Sequence, residues 1–489
     1  MGNHFEMIKF TVFNFLLGFV FSASGWAQNY HAMEGSPFAG GLGVANNPAS
    51  IVNTPYPWDV TVLSFQLTNS TNAVTFYDLS LISPSDSSKY AFNGGNYSRY
   101  INFNYNLHLL NARIALSRRS AIAFGANLRG YGLAKTSPYN YSDTLHNLNN
   151  FFSINQATSL YEGNFVSSSW IELFATYSKT ILDDEKGRLN AGFTLKVSRG
   201  ISGAFLQLAG GSVQAKTVGG NTDYFLNGGT AKYAYSSNYD TWKNGNSTGQ
   251  NIKNFLTFTQ AGASFDLGAE YLVKSQALPN PDEEDDYFDY DWKIGVSLLD
   301  IGENRYKYGN YSRHTSTPKN VADSILDGKF GSGLQTFAQF NDSLGTVVNG
   351  ISPLRGLFNI RDPARVVINV DRPLPDHFSI NLNLSFNLTL PGKGQPLNVQ
   401  EMNLLNLTPR WETKRWGIYL PIQYNTEKQL WIGGAFKAGP LLFGIHNWGN
   451  VFSKDKMQNG GGYIALVIRP GHGFIEKEAK QYECPKVVP

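Results

Sequence analysis

Residues 378–390 read FSINLNLSFNLTL, an uninterrupted alternation that leaves few folds open. Phe378, Ile380, Leu382, Leu384, Phe386, Leu388 and Leu390 form one set, and Ser379, Asn381, Asn383, Ser385, Asn387 and Thr389 the other. A period of two belongs to a β-strand, whose successive side chains leave opposite faces. Soluble strands usually run about 5–6 residues. At about 3.3 Å per residue this stretch reaches about 43 Å, and tilted by about 45° it rises about 30 Å, the thickness of a bilayer's hydrocarbon core. The expectation is a strand with one face toward lipid.

The pattern recurs. INFNYNLHL (101–109) sets Ile101, Phe103, Tyr105, Leu107 and Leu109 against Asn102, Asn104, Asn106 and His108. RLNAGFTLKVS, WIELFATY and ASFDLGAEYLV alternate in the same way, and further runs begin near Trp58, Ala121, Tyr224, Trp292, Leu404, Trp416, Leu430, Leu441 and Tyr463. The polar set carries charges of both signs at mid-strand: Arg129, Glu172, Arg188, Lys196, Asp266, Glu270 and Lys293. A dry sandwich core does not absorb unpaired charges, each costing several kcal/mol. They suit either the lining of a barrel lumen or the solvated outer face of a soluble sheet. Strand length favours the barrel. So do Trp170, Tyr177, Tyr271, Trp292, Trp416, Tyr424, Trp431 and Tyr463, which lie near strand ends, where aromatic girdles form at bilayer interfaces. The expected fold is all-β: a transmembrane antiparallel outer-membrane barrel of about 14 strands, within a range of 12–16.

Connections alternate in size. Residues 117–120, 182–187, 412–415 and 425–428 read as tight polar turns for the periplasmic end, and 134–164, 238–254 and 302–375 as long outside loops. In the last loop Val321, Ile325 and Leu326, then Leu334 and Phe337, mark two short amphipathic helices broken at Gly331-Ser332-Gly333, either a lid or simple loop packing.

Composition fits. Of 489 residues only 16% are charged and 14% are aromatic, against about 25% charged in ordinary soluble domains. Beyond residue 27 no run of 18 apolar residues exists, which excludes helical spans. Residues 1–27 have the form of an export signal: Lys9, an apolar core, then Gly25 and Ala27 before a cut at Gln28. The chain is thus expected in the outer membrane, with membrane lipid and the barrel assembly machinery as partners. Cys484 is the only cysteine, so no internal disulfide forms. The eight histidines lack metal-ligand spacing, and no nucleophile elbow, zinc spacing or phosphate loop appears. The acidic stretch 281–291 has the oxygens for Ca²⁺ but not the spacing of an EF-hand, and a solvated turn accounts for it. Basic patches interleaved with aromatics are lacking, so nucleic acid is not an expected partner. Neither an enzyme nor a cofactor is expected.

Residues 34–57, EGSPFAGGLGVANNPASIVNTPYP, precede the first strand. Their irregular backbone cannot face lipid. Phe38, Leu42, Val44 and Ile51 suit a segment tucked into the barrel better than a linker. Gly40, Gly41, Gly43, Asn47, Pro48 and Ala49 are its candidate turning points.

This Gly-rich start, with Asn47-Pro48-Ala49 just before the first strand, resembles FadL-type long-chain fatty-acid transporters and their PorV-like relatives in Bacteroidota. The order of NFVSSSWIELFATY, LNAGFTLKVSRGISGAF, AGASFDLGAEY, WKIGVSLLDIG and RPLPDHFSINLNLSFN is similar to a family of unknown function among Bacteroidota outer-membrane proteins. That resemblance covers most of residues 28–470. It implies a 14-stranded barrel with an N-terminal internal hatch. Two departures stand out: Ser50 replaces the family's usual Gly, and a tail follows Pro470. The expected organisation is a signal (1–27), a hatch-like segment (28–57), a barrel (58–470) and a tail (471–489). The expected function is a channel or passive transporter of small molecules, hydrophobic ones included. Rival readings are a structural or secretion-associated barrel that docks envelope proteins, and a soluble secreted β-protein.

Overall fold

A computed structural model describes residues 31–77, 89–143, 145–158, 160–275, 290–331, 333–388, 397–449 and 456–470. The signal, the tail with Cys484, and most of the acidic stretch lie outside the described residues.

Fourteen antiparallel strands form a closed barrel. In chain order they are β1 (Trp58–Thr71), β2 (Tyr100–Ser117), β3 (Ser120–Thr136), β4 (Tyr161–Asp183), β5 (Gly187–Val218), β6 (Gln260–Lys274) and β7 (Tyr290–Lys307). Then follow β8 (Leu357–Arg361 and Arg365–Pro373), β9 (Phe378–Asn387), β10 (Leu404–Glu412) and β11 (Trp416–Tyr419 and Ile422–Asn425). The last are β12 (Leu430–Ile432 and Gly434–Ala438), β13 (Leu441–Ile445) and β14 (Asn459–Ile468). β1 pairs with both β2 and β14, which closes the wall. The breaks in β11 and β12 meet: Pro421 cannot donate to a ladder, but its carbonyl accepts from Gly433 N–H at 2.8 Å.

The alternation sorts as the period demands. In β9 Ser379, Asn381, Asn383 and Ser385 are buried inside, while Phe378, Ile380 and Phe386 are exposed outside. This strand ends at Asn387, shorter than the thirteen residues expected; Thr389 and Leu390 lie outside the described residues. Around the wall the outward set is large and apolar: Leu173, Leu195 and Val197 are 58–61% exposed. A core-facing set would be covered, so the soluble-sheet assignment of faces is reversed here.

Five of the eight expected interface aromatics point outward: Tyr177, Tyr271, Trp292, Trp416 and Tyr424. Trp170, Trp431 and Tyr463 are instead buried. They occupy the inward parity of their strands, which proximity to a strand end does not reveal. A second correction concerns residues 425–428. The turn from Asn425 to Leu430 sits at the long-loop end, because residues 416–425 form one interrupted strand; Lys135 reaches Glu427 there at 3.6 Å. Nor is the run near Tyr224 a wall strand. It belongs to an arm, Asn221–Tyr235, that pairs with the outer half of β5 across a tight Gly219-Gly220 turn. Both glycines have positive φ, as a two-residue hairpin turn requires.

The arm carries a cap of helices: α1 (Leu148–Ile154), α2 (Thr248–Thr257), α3 (Asp323–Phe330) and α4 (Phe337–Val347). Val321, Leu326, Val347 and Val348 form an apolar centre among α1, α3 and α4, with Leu148, Leu226, Phe330 and Leu344 packed on it, while α2 packs through Phe255 on Tyr239. The last two helices flank the expected break at Gly331 and Gly333. Among the described residues no helix is long and apolar enough to cross a membrane.

Candidate functional site

Between β1 and the chain start, residues 31–57 form three short 3₁₀ turns, His31–Met33, Gly40–Ala45 and Pro48–Val52. They lie against inward side chains from around the wall. On β10, Arg410 donates to the Glu34 carbonyl at 3.2 Å. On β7, Lys293 donates to the Gly35 carbonyl and Ser297 to the Asn46 carbonyl, the latter at 2.6 Å. On β1, Asp59 accepts from Gly41 N–H at 2.7 Å; on β2, Asn111 donates to the Gly41 carbonyl at 3.1 Å. On β4, Ser178 donates to the Ala49 carbonyl at 3.1 Å. Phe38, Leu42 and Tyr56 are buried against Tyr419, Leu442, Tyr463 and Val467 of the wall. Lys437 lies over the Phe38 ring at 4.5 Å.

The Asn47-Pro48-Ala49 turn has a seat built for it. The Asn47 side chain accepts from Ala49 N–H at 2.9 Å and donates to the Ala269 carbonyl at 3.0 Å. Gly192 of β5 and Gly268 of β6 are directly paired. A Cβ on Gly268 would come within 2.1 Å of Asn47 Oδ1, and one on Gly192 within 2.6 Å of the Pro48 carbonyl carbon. The two missing side chains make a notch in the inner wall, and the turn fills it. Gly40 has φ +58° and lies against Asp59; Gly43 lies against Ser50.

Next to this segment is a buried ionic network centred on Asp300. A bulge shifts the β6–β7 register between Leu298 and Ile301, and Asp300 takes a left-handed φ of 56°. Bulges re-aim side chains in this way. The carboxylate receives Arg129 at 2.5 Å, Lys196 at 2.7 Å and Arg365 at 2.5 Å. Lys196 also reaches Asp266 at 2.7 Å, Arg129 reaches Glu172 at 3.6 Å, and Arg365 reaches Glu401 at 3.3 Å. A second cluster joins Arg410 to Asp371 and Glu412, each at 2.8 Å, and Glu412 accepts from Ser36 at 2.8 Å. Charges this deep are tolerated because each has a partner.

Toward the long-loop end, aromatic side chains take over. Tyr131 stacks on Trp170 at 5.5 Å, and Phe358 packs on Phe205, Tyr306 and Tyr308. Trp170 donates to Glu172 at 2.8 Å, linking the two layers. A cavity of about 30 Å³ remains beside the N-terminal segment, lined by Glu34, Ser36, Asn53, Lys293, Asn369 and Asn383 among others. That volume suits one or two waters.

Of the charges singled out in the sequence, Arg129, Glu172, Lys196 and Asp266 meet in the Asp300 network. Lys293 lies 3.6 Å from Glu270 beside the segment, and Arg188 donates to Asn53 of the segment at 3.0 Å. Sequence reading missed Asp300, Arg365, Glu401, Asp371, Arg410 and Glu412. Asp300 breaks the alternation because of its bulge, and Arg365 and Glu401 flank irregular backbone. Arg410 and Glu412 are two apart in a wall strand, and parity alone would have found them. Among the described residues no group of acidic, His or Cys side chains is placed to hold a metal.

Among solved structures, a Pseudomonas aeruginosa FadL homologue is 13% identical, with 91% of this chain and 96% of that one covered and a TM-score of 0.38. The Ralstonia pickettii toluene transporter TbuX is 11% identical, covers 91% and 98%, and also scores 0.38. A deltaS2 mutant of the TodX monoaromatic hydrocarbon channel is 9% identical, covers 88% and 93%, and scores 0.41. The barrel assignment rests on strand register, not on these likenesses. No curated protein matches the sequence. The model of a family of unknown function, DUF5723, matches residues 48–446, most of the barrel and the Asn47-Pro48-Ala49 seat's contacts from Pro48 onward, and the chain belongs to that family.

Proposed function

We propose that the protein is an outer-membrane channel for small molecules, held closed from within by residues 31–57. The observation that carries this reading is the set of bonds from that segment to β1, β2, β4, β6, β7 and β10. A segment tied to strands all around the wall crosses the lumen. The apolar belt supports a bilayer setting, because lipid is the solvent that an outward face of this kind needs. Export by residues 1–27 and insertion by the barrel assembly machinery belong to the same reading, with the short-turn end in the periplasm. Passage by diffusion needs no cofactor.

Deleting residues 36–49 tests it. The deletion removes the notch filler and the Asp59, Asn111 and Glu412 contacts but leaves the strand ladders whole. The shortened chain is expected to remain a heat-modifiable barrel and to show markedly higher conductance in planar bilayers. Unchanged conductance in an assembled barrel would make the segment a structural lining rather than a closure.

A further inference from the structure

Between the arm and β6, residues 237–259 make an excursion that lies on the outward side of the wall. A line of hydroxyls fixes it there. Tyr105 of β2 bonds Ser169 of β4 at 2.7 Å, Ser169 is paired with Ser202 of β5, and Ser202 bonds Tyr239 of the excursion at 2.7 Å. Ser169 shares the parity of Leu173, so this line runs on the lipid side. Arg199, in phase with Leu195 and Val197, donates to the Thr259 carbonyl at 3.2 Å. The β5–β6 ladder sets the height, since it runs from the Tyr271–Leu189 pair to the Gln260–Gly200 pair. Eleven steps along β5, at about 3.3 Å each and tilted by about 40°, rise about 28 Å, close to the height of an outer-membrane apolar band, about 25 Å. With Tyr271 at the lower girdle, the excursion sits where the upper one belongs.

Along α2, three strips run side by side. Asn251 is buried and Phe255 packs on Tyr239 with ring centroids 5.1 Å apart, which marks the side toward the wall. Ile252 and Leu256, four apart on the next strip, are 47% and 45% exposed. Gln250, Lys253 and Thr257 form an exposed polar strip beyond them. Trp242 and Phe258, which flank the helix in sequence, are 51% and 58% exposed. Four large apolar side chains uncovered on one short excursion are more than scattered surface residues account for. Tryptophan is also the residue that membrane–water interfaces favour. Cations frame the patch: Arg199, Lys243 and Lys253 are exposed. The excursion's single acid, Asp240, is taken up by the Tyr235 hydroxyl at 2.7 Å and Asn310 N–H at 2.8 Å.

We propose that residues 237–259 are a membrane-surface anchor seated in the outer leaflet, with Trp242, Ile252, Leu256 and Phe258 among the acyl chains and Lys253 toward the headgroup phosphates. The occupant is lipid because the patch continues the face that lipid already covers at Leu195 and Val197 and lies at its upper edge. A helix with an apolar strip beside a basic polar one lies in that plane, its apolar side about 5–10 Å into the headgroup and acyl boundary. The proposal rests on the bilayer setting and not on the closure of the lumen. The anchor holds the seam at which the arm replaces β6 as the neighbour of β5. There Ser236 N–H donates to the Gly203 carbonyl, and the Asn238 side chain donates to the Ile201 carbonyl. Lipid under α2 thus fixes the base of the arm against the wall.

The test places the full-length protein, in a Cys484→Ser background, in liposomes of phosphatidylcholine and phosphatidylglycerol. Ile252→Cys, Gln250→Cys and Leu195→Cys each carry a polarity-sensitive fluorophore, and heat-modifiability shows that each labelled barrel is assembled. The quencher is phosphatidylcholine spin-labelled near the headgroup end of its acyl chain. Quenching at position 252 is expected to approach that at 195 on the lipid belt and to exceed that at 250 by about threefold, as for a helix buried on its apolar side alone. The emission at 252 should also lie to the blue of that at 250. Equal quenching at 252 and 250 would overturn the anchor. So would a blue-shifted label at 252 that the lipid does not quench, which marks a protein neighbour instead. No quenching at 195 would overturn the bilayer setting and the anchor with it.

Discussion

Asp300 is the residue on which the interior charge balance turns. Its carboxylate takes Arg129, Lys196 and Arg365 together, all of them buried. Asp300→Asn keeps the shape but leaves three cations to Glu172, Asp266 and Glu401. Removing one partner of a buried ion pair costs about 3–5 kcal/mol, and the denaturation midpoint of the refolded barrel should fall accordingly. Asp183→Asn is the matched control. Its partners Arg119 and Lys274 lie at 3.1 and 2.7 Å and are 66% and 28% exposed, and solvent-accessible pairs are worth about 0–1 kcal/mol each. Equal effects from the two changes would mean that the Asp300 network is hydrated and contributes little. At this scale the sequence was only half legible. Parity located Arg129, Glu172, Lys196 and Asp266 on the inner face, but the residue that gathers two of them, Arg129 and Lys196, is out of phase at a bulge. The notch was equally hidden, since Gly192 and Gly268 lie far apart in sequence and meet only through the β5–β6 register.

At the scale of the element, β9 tests the assignment of faces. Leu384 lies on the lipid side, and Leu384→Arg should cost about 2–4 kcal/mol near the midplane. The polar face of β9 is not the wet wall that its composition implies. Asn383 is 2% exposed and borders a cavity of about 30 Å³, too small for a guanidinium and its stem. Asn383→Arg should therefore also destabilise, by about 1–3 kcal/mol through overpacking, and should push the N-terminal segment aside. The two variants separate by function: raised conductance is expected from Asn383→Arg and not from Leu384→Arg. The reverse result would exchange the faces. Wall strands were readable because lipid on one side enforces period two. The cap was less so. The helices near residues 321–347 announced themselves by apolar spacing, and Thr336 with Gln339 forms a capping box on the second. Thr248–Thr257, capped by Ser247, went unread because its polar face outweighs its few apolar residues.

For the whole molecule, the barrel class followed from length and alternation, but the count of fourteen held because two misreadings offset each other. The run near Tyr224 is an arm, and wall strand β8 lies inside the stretch 302–375 read as a loop. The packed state of the lumen was not legible. Polar composition on an inner face is compatible with water or with a filling of protein, and only the meeting of residues 31–57 with strands around the wall distinguishes them. The central claim is that this filling is a movable closure. A disulfide between the segment and its notch tests it most directly. In a Cys484→Ser background, Asn47→Cys and Gly268→Cys join positions where a Cβ on residue 268 already falls within 2.1 Å of the Asn47 side chain. That contact is to Oδ1, two bonds beyond the Asn47 Cβ, so the two Cβ atoms lie no farther apart than the upper end of the about 3.5–4.5 Å that a disulfide needs. The measurement is the conductance of one reconstituted preparation before and after reduction, with the cross-link verified by mass. The account predicts a silent channel when oxidised and openings when reduced. Identical conductance in both states would contradict it.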